Sequence, residues 1–468
     1  MTESNELSAR VIKNGYCIGC GACASVADSP FVMRMDEYGN IVAAATGDTG
    51  ESHAEVLDVC PFSDSAASED EISDELFPSA VYRDRYIGKY IDCYAGYVNE
   101  GEFRQKGSSG GLGKWLGHTM LAEDKIDYLV QIYPNDSGMP GEALFDYKFI
   151  SDKGEVIKGS RSSYYPVTLA EVIKKIREKD GRYAITGVPC FIKAIRLMNR
   201  KEKVLAERIK YTLGVICGGM KSANHSKIIA WQLGVKPDEL VAIDFRRKYA
   251  DRPARHKIYQ VWSAHDDKER YRDAARIFGT DWGSGYFKPN ACDYCDDVVG
   301  ETADISIGDA WLEKYVNDPQ GTSIVVIRNN DIAGLFKRHI QKGNIKMDSV
   351  SAEEVRISQE GGFRHRREGL SYRLNRREKS GSWHPRKRVK AGEFVIDSKR
   401  RNIYRLREKI SKQSHISAYR AISNDNIDIF FREMMPLKKK YRSAYYGKRY
   451  IRALRKVRKM ILPGGGKK

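Results

Sequence analysis

Between residues 81 and 330, short apolar runs alternate with segments whose apolar side chains recur every three or four positions. "DYLVQIYP" (127–134), "RYAITGVPC" (182–190), "IKYTLGVICGG" (209–219) and "ADISIGDAW" (303–311) read as strands that end in a Gly or Pro turn. "GLGKWLGHTMLAE" (111–123), "LAEVIKKIREK" (169–179), "FIKAIRLMNRKEK" (191–203) and "SKIIAWQLG" (226–234) carry the helical period. Strand–helix alternation predicts an α/β domain with a mostly parallel sheet. Ligands of such sheets sit beyond the carboxyl ends of the strands, where several glycines and cysteines of this chain fall.

The flanks differ. Residues 1–80 carry cysteines and then an acidic, serine-rich stretch, "FSDSAASEDEISDE", which reads as a solvated linker. Beyond 360 the chain turns Arg-rich, with few strand signals. The expected organisation is therefore 1–80, 81–360 and 361–468. The net charge of +18 hides a split. Residues 361–468 hold 33 Lys+Arg against 8 Asp+Glu, whereas the preceding residues are mildly acidic. The amino terminus has neither a basic nor an apolar signal region, and no apolar run reaches about 18 residues, so a cytoplasmic protein is expected. Nine cysteines in that compartment read as metal ligands rather than disulfides.

"CIGCGACASV" spaces Cys17, Cys20 and Cys23 with two residues between neighbours. This is the ligand spacing of bacterial ferredoxins, in which a fourth Cys followed by Pro serves the other cluster. No Cys follows at the usual position, but "VCPFS" holds Cys60 before Pro61. It looks like the surviving last ligand of a degenerate second motif. Cys17, Cys20, Cys23 and Cys60 would then complete one 4Fe-4S site. A zinc knuckle on the same thiolates is the alternative, disfavoured by the spacing and the Cys-Pro.

A second set lies in the α/β region. Cys190 and Cys217 each close a predicted strand, and Cys292 and Cys295 form a Cys-x-x-Cys before another. The three regions can meet at one edge of a parallel sheet and close an iron–sulfur or zinc site. Cys93 reads as a packed strand thiol. In "KGSSGGLGKWLG" (106–117), Ser108, Ser109, Gly110 and Gly111 precede a helix, whose free N–H groups can bind phosphate; a simple helix start is the bland reading. "GSRSSYYPV" offers Arg161 and Ser162 as further anion contacts. Asp309 can accept from a ribose or cap a turn, and His225 can donate a proton or pack structurally.

In this order the motifs resemble those of the coenzyme F420 hydrogenase/dehydrogenase beta subunits, a family that includes 7-hydroxymethyl chlorophyll a reductase. The resemblance covers roughly residues 10–330. It implies FAD in the α/β domain, contacted by Ser108, Ser109, Gly110, Gly111, Arg161, Ser162 and Ser163. It also implies a second 4Fe-4S cluster on Cys190, Cys217, Cys292 and Cys295. The degenerate ferredoxin motif implies one cluster fewer than in members with two intact motifs. The basic extension resembles that of bacterial members that accompany exopolysaccharide genes, and the deazaflavin coenzyme is left open as substrate.

The expected function is an iron–sulfur flavoprotein oxidoreductase. A ferredoxin-like donor would load the clusters, and FAD would exchange a hydride with an organic substrate. The alternative is a non-catalytic relay or docking subunit of a membrane-associated complex. In the tail, Tyr450, Leu454, Val457 and Ile461 share one helical face among cations. That pattern suits an anionic membrane surface or an acidic partner, or packing on the acidic body. Nucleic acid is disfavoured, because no recognised binding module accompanies the charge.

Overall fold

The computed structural model of the chain describes residues 2–50, 54–135, 137–249 and 252–447. Its centre is an eight-stranded mixed sheet. In chain order the strands are β1 (Asp92–Val98), β2 (Tyr128–Pro134), β3 (Phe145–Ile150), β4 (Tyr183–Gly187), β5 (Ile209–Val215), β6 (Ile305–Asp309), β7 (Ser323–Ile327) and β8 (Ile345–Ser349). Across the sheet they run β8-β1-β7-β6-β5-β4-β2-β3. The four strands β2, β4, β5 and β6 are mutually parallel, with Leu213 set between Thr186 and Ile305. The flanking pairings are antiparallel. The parallel character expected from the sequence therefore sits in the middle of the sheet.

Both faces of the sheet are covered, as a parallel core requires. Trp115, Leu116 and Met120 of helix Leu112–Ala122 and Leu335 and Phe336 of helix Asn330–Gln341 pack on one side, with Ala184, Leu213 and Ile305. Helices Ala170–Glu178 and Pro189–Lys201 cover the other, placing Val172, Ile176, Phe191 and Ile195 against Tyr183 and Ile185. Each strand and helix segment read from the central sequence is present near its expected place. Cys93 is buried in β1 within a hydrophobic cluster, as a packed strand thiol. A separate three-stranded antiparallel sheet, residues 240–273, stands beside the main one.

One expectation about the flanks is corrected. The acidic stretch is not a solvated linker. It forms helix Glu69–Leu76, started by a reciprocal cap between Ser68 and Glu71. Glu69 is buried, 3.1 Å from the Lys193 ammonium, and Ala66 and Ile72 pack on Leu197. A negative run looked solvated because its cations lie far away in sequence. The first residues pack onto the main body: Leu7, Val11, Tyr16, Phe31, Val59 and Phe62 belong to the same hydrophobic cluster as Ile173, Ile185 and Phe191.

The Arg-rich part beyond 360, which carried few strand signals, is largely helical among the described residues, and much of it is built into the body. Helices Ser398–Ser423 and Ile427–Tyr446 form a hairpin whose Ile403, Leu406, Phe430 and Met434 pack with Ile228, Tyr286 and Phe287. Arg366, Arg367 and Arg373 are buried. The amphipathic face proposed for Tyr450, Leu454, Val457 and Ile461 lies outside the described residues.

Candidate functional site

The first cysteine set closes around one point. Cys17, Cys20, Cys23 and Cys60 line a single small cavity with Tyr16, Ile18, Met33, Ala43 and Phe62. The loop carrying the first three is held on the body by the Leu169 N–H, which donates to the Cys20 carbonyl at 2.9 Å. The Ala43 N–H of the neighbouring hairpin donates to the Cys17 sulfur at 3.4 Å. Burial, reinforced by the neighbouring thiols, pushes the Cys20 and Cys23 thiols up. Burial likewise raises Cys60, to about 12.

The second set gathers beyond the carboxyl ends of adjacent central strands, not at a side edge of the sheet. Cys190 lies in the first turn of helix Pro189–Lys201, just after β4, and Cys217 follows β5. Cys292 sits in the short helix Asn290–Tyr294, with Cys295 directly after it. Burial raises Cys190 well above the ordinary thiol range, and the charges of Cys295, Cys217 and Cys292 add to it. Burial, with Cys217, lifts Cys292 to about 12. The Met220 N–H donates to the Cys292 sulfur at 3.4 Å.

Cys20, Cys23 and Cys60 in the first set and Cys190, Cys292 and Cys295 in the second are raised chiefly by burial, so their ionisation needs compensating positive charge. Thiolates around a metal cluster are supplied with that charge. Among the described residues no three His, Cys, Asp or Glu side chains are grouped to hold a single metal ion. Sulfurs around one zinc lie within about 4 Å of one another, given Zn–S bonds near 2.3 Å. In a four-iron cluster each thiolate binds its own iron, so four cysteines are the donor set such a group takes. The donor chemistry fits such a group.

The two sets are neighbours. Cys20 is among the charges that act on Cys190. Tyr16, beside Cys17, meets Tyr294, between Cys292 and Cys295, edge to face at 4.8 Å. Cys217 faces onward, lining a cavity of about 610 Å³, within the size range of cofactor sites. Ser108, Ser109, Gly111, Arg161, Ser162, Ser163 and Asp309 line that same cavity. Gly110 is not among its lining residues. Its N–H donates to Ser323 Oγ at 3.0 Å, and a Cβ there would stand 2.5 Å from the Gly96 carbonyl oxygen. That glycine is required by close backbone packing.

The loop before helix Leu112–Ala122 is held by cations on its carbonyl oxygens. Lys248 donates to Arg104 and Ser109 at 2.6 and 2.7 Å, Arg246 to Ser108 at 2.9 Å, and Lys114 to Lys106 at 3.0 Å. No side chain caps the helix start. A loop held in this way, an uncapped helix start and nearby basic side chains are features with which an anion can be held. Asp309 is engaged: its carboxylate takes both arms of Arg246 at 2.9 Å. Burial alone would raise its pKa, but Arg246 holds it below the ordinary range. Arg161 is paired with Asp244 at 3.0 Å. His225 is buried among Phe245, Tyr259 and Phe287, and burial holds it neutral, so it packs rather than faces the cavity.

The sequence did not reveal several lining residues. Lys221, Lys257 and Trp282 meet at one wall, each ammonium about 5 Å from the indole ring (4.6 and 5.3 Å). Burial lowers Lys221 to about 7. Arg364, His365, Arg366, Arg407 and Tyr445 come from the extension. They lie in separate segments with no local motif. Lys114 alone had a signal, a charge set in an apolar helical stripe.

Residues 93–174 match the description "Coenzyme F420 hydrogenase/dehydrogenase, beta subunit N-term" and residues 180–353 match the corresponding C terminus. An uncharacterized protein of Methanocaldococcus jannaschii is 24% identical over 76% of this chain and 95% of its own length. A subunit of the F(420)H(2) dehydrogenase of Methanosarcina mazei is 24% identical over 68% of this chain and 81% of its own. The coenzyme F420-dependent sulfite reductase of M. jannaschii is 19% identical over 68% of this chain and 45% of its own. A chain of the F420-reducing [NiFe] hydrogenase complex from Methanosarcina barkeri superposes with a TM-score of 0.48 at 16% identity, covering 63% of this chain and 96% of that one. The two matches span more than half of the sequence, and the chain belongs to the family of coenzyme F420 hydrogenase/dehydrogenase beta subunits.

Proposed function

We propose that the protein is an iron–sulfur flavoprotein that passes electrons between a one-electron donor, such as a ferredoxin, and an organic substrate. The observation that carries this reading is the continuity of Cys17/Cys20/Cys23/Cys60, Cys190/Cys217/Cys292/Cys295 and the 610 Å³ cavity. Each cysteine set would hold one 4Fe-4S cluster, and the cavity would hold FAD. FAD supplies the exchange of two electrons with an organic molecule. This chain's part is to bind and to position. The Ser108–Gly111 loop and the start of helix Leu112–Ala122 would take the pyrophosphate, with Lys114, Ser162 and Ser163 beside it. The aromatic wall of Tyr164 and Trp282, with ring centroids 4.6 Å apart, would shield the reacting end from water. The donor is oxidised twice for each hydride equivalent gained by the substrate. The relatives named as dehydrogenase and sulfite reductase agree with an oxidoreductase role. Because the extension resembles that of members found with exopolysaccharide genes, sugar-bearing substrates are the first to assay.

Anaerobic purification with iron, sulfide and flavin quantified tests the reading. About eight irons and one flavin per chain are expected. A chain without sulfide and flavin overturns it. Gly111→Val sharpens the test. Gly111 has φ +85°, and an added Cβ would stand 2.5 Å from the Phe103 carbonyl. The variant is expected to lose most of its flavin and keep its iron; full flavin would reject the cradle.

A membrane-facing role for the tail has its own test. Residues 448–468 hold nine Lys+Arg and no acid. Each cation near an anionic leaflet contributes about 1 kcal/mol, weakened by salt. Deleting 448–468 should release the protein from anionic vesicles at low salt while flavin content stays whole. A cut at 437 would instead remove Tyr441, a buried member of the hairpin. Equal binding with and without 448–468 rejects the role.

A further inference from the structure

The extension beyond residue 353, where the family match ends, covers the seam between the two cysteine sets. Trp383 meets Tyr16 at 5.4 Å, and the Tyr16 hydroxyl donates to the Trp383 carbonyl at 3.3 Å. Arg377 Nε donates to the Tyr294 hydroxyl at 3.0 Å. Two further cations of the same stretch lie deeper. The Lys387 side chain is 4% exposed; its ammonium stands 4.6 Å from the ring centroid of Phe62, two residues from Cys60, and 4.0 Å from Asp296, next to Cys295. It therefore lies between the two sets. Arg366 is buried at the other side of the second set and donates to the carbonyl oxygen of Cys217.

We propose that Lys387 and Arg366 are positioning charges that set the reduction potentials of the two centres, Lys387 acting on both and Arg366 on the second alone. The inference rests on the iron–sulfur reading above. An iron–sulfur centre gains negative charge when it takes an electron, and potential follows the net charge and hydrogen bonding around it. A buried cation stabilises the reduced form more than an exposed one does, because water does not screen it. Asp296 and Glu69 oppose Lys387, and Arg388 stands with it. The opposing carboxylates keep the ammonium charged against its burial, while Asp296 works in the other direction on the centres.

The partners of these cations differ, so their effects separate. Lys387 stands over Phe62 on the side of Cys60 and beside Asp296 on the side of Cys295. Arg366 stands instead at the Cys217 carbonyl oxygen, buried on the side of the second set. Electrons passing from one set to the other therefore cross a step whose height the extension adjusts, with no ligand from the extension itself.

Redox titration of the full-length, cluster-loaded protein, followed by electron paramagnetic resonance, tests the proposal. In Lys387→Gln both midpoints should fall. The expected size is roughly a tenfold change in the reduced-to-oxidised ratio at fixed potential, 59 mV for one electron. In Arg366→Gln only the second midpoint should fall. Lys387→Arg keeps the charge and should restore wild-type values, which a merely structural role would not require. If Lys387→Gln fails to accumulate, Asp296→Asn is measured instead, and both midpoints should rise. Full iron with unmoved potentials overturns the inference alone. Wild-type protein without iron and sulfide overturns the iron–sulfur reading and this inference with it.

Discussion

Cys190→Ala is expected to cost about half the iron of the chain, four of roughly eight, and to reduce donor-dependent reductase activity to background. Cys190 lies close enough to the first set for Cys20 to act on it. It stands at the start of a helix whose remaining residues are anchored in the core by Phe191, Ile195 and Met198. Removing one sulfur there leaves the helix in place and takes away a ligand. Alanine fits the first helical turn without strain, so the fold is expected to hold. Flavin should remain, because the Ser108–Gly111 cradle is built by other elements. Iron and sulfide analysis, flavin absorbance and turnover with a reduced one-electron donor measure the three quantities separately. Unchanged iron in a folded variant would remove Cys190 from the ligand set. Loss of iron with retained turnover would leave the ligand set intact and place electron flow outside the second centre.

The central α/β pattern was legible because it is local. A run such as "RYAITGVPC" carries its own apolar core and its own turn, and β4 with the following helix obeys it. The grouping of the first cysteine set was legible for a similar reason: the spacing of Cys17, Cys20 and Cys23 is written in the chain, and the Cys-Pro at 60 marks the distant member. What could not be read is complementary charge across long separations. The acidic segment at 69–71 and the Arg-rich segment at 366–388 each look solvated alone. Folded, Glu69 meets Lys193 and Arg388, and Asp293 meets Lys288 at 2.5 Å with His365 and Arg373 close by. Periodicity carries no information about such pairs, because a charge does not announce its partner. The pocket shows the same division. The Ser/Gly loop and "GSRSS" were visible as motifs; Lys221, Trp282 and Arg407 reach the cavity only through the fold.

Arg388→Met is expected to destabilise the protein by about 3–5 kcal/mol, the cost of removing one partner from a buried ion pair. Its guanidinium donates to both carboxylate oxygens of Glu301 at 2.7 and 2.8 Å and lies 3.4 Å from Asp296 and 3.5 Å from Glu69. Those three carboxylates are buried, Glu301 and Asp296 at 1% exposure. With Arg388 gone, Glu69 keeps Lys193 at 3.1 Å, while Glu301 falls back on Arg367 at 3.6 Å. For a chain of this length, a loss of that size lowers the thermal midpoint by roughly 3–5 °C, from an unfolding entropy near 2.1 cal/mol/K per residue. The pH dependence gives a second handle. Burial works to raise Glu69, but Lys193 and Arg388 hold it below the ordinary glutamate value. A carboxylate lowered in the fold contributes stability that is fully present above its unfolded value, about 4.3, and is lost as pH falls through its folded value. Part of that contribution belongs to Arg388. The gap between wild type and variant should therefore be widest near pH 7 and narrow as pH falls below about 4.3. Thermal melts at both ends of that range measure the gap. Adding Glu301→Gln to Arg388→Met removes one stranded charge and should recover part of the loss. Equal midpoints for wild type and Arg388→Met would show that the extension is held to the body by its apolar contacts alone, and that the buried charges are neutral to the fold.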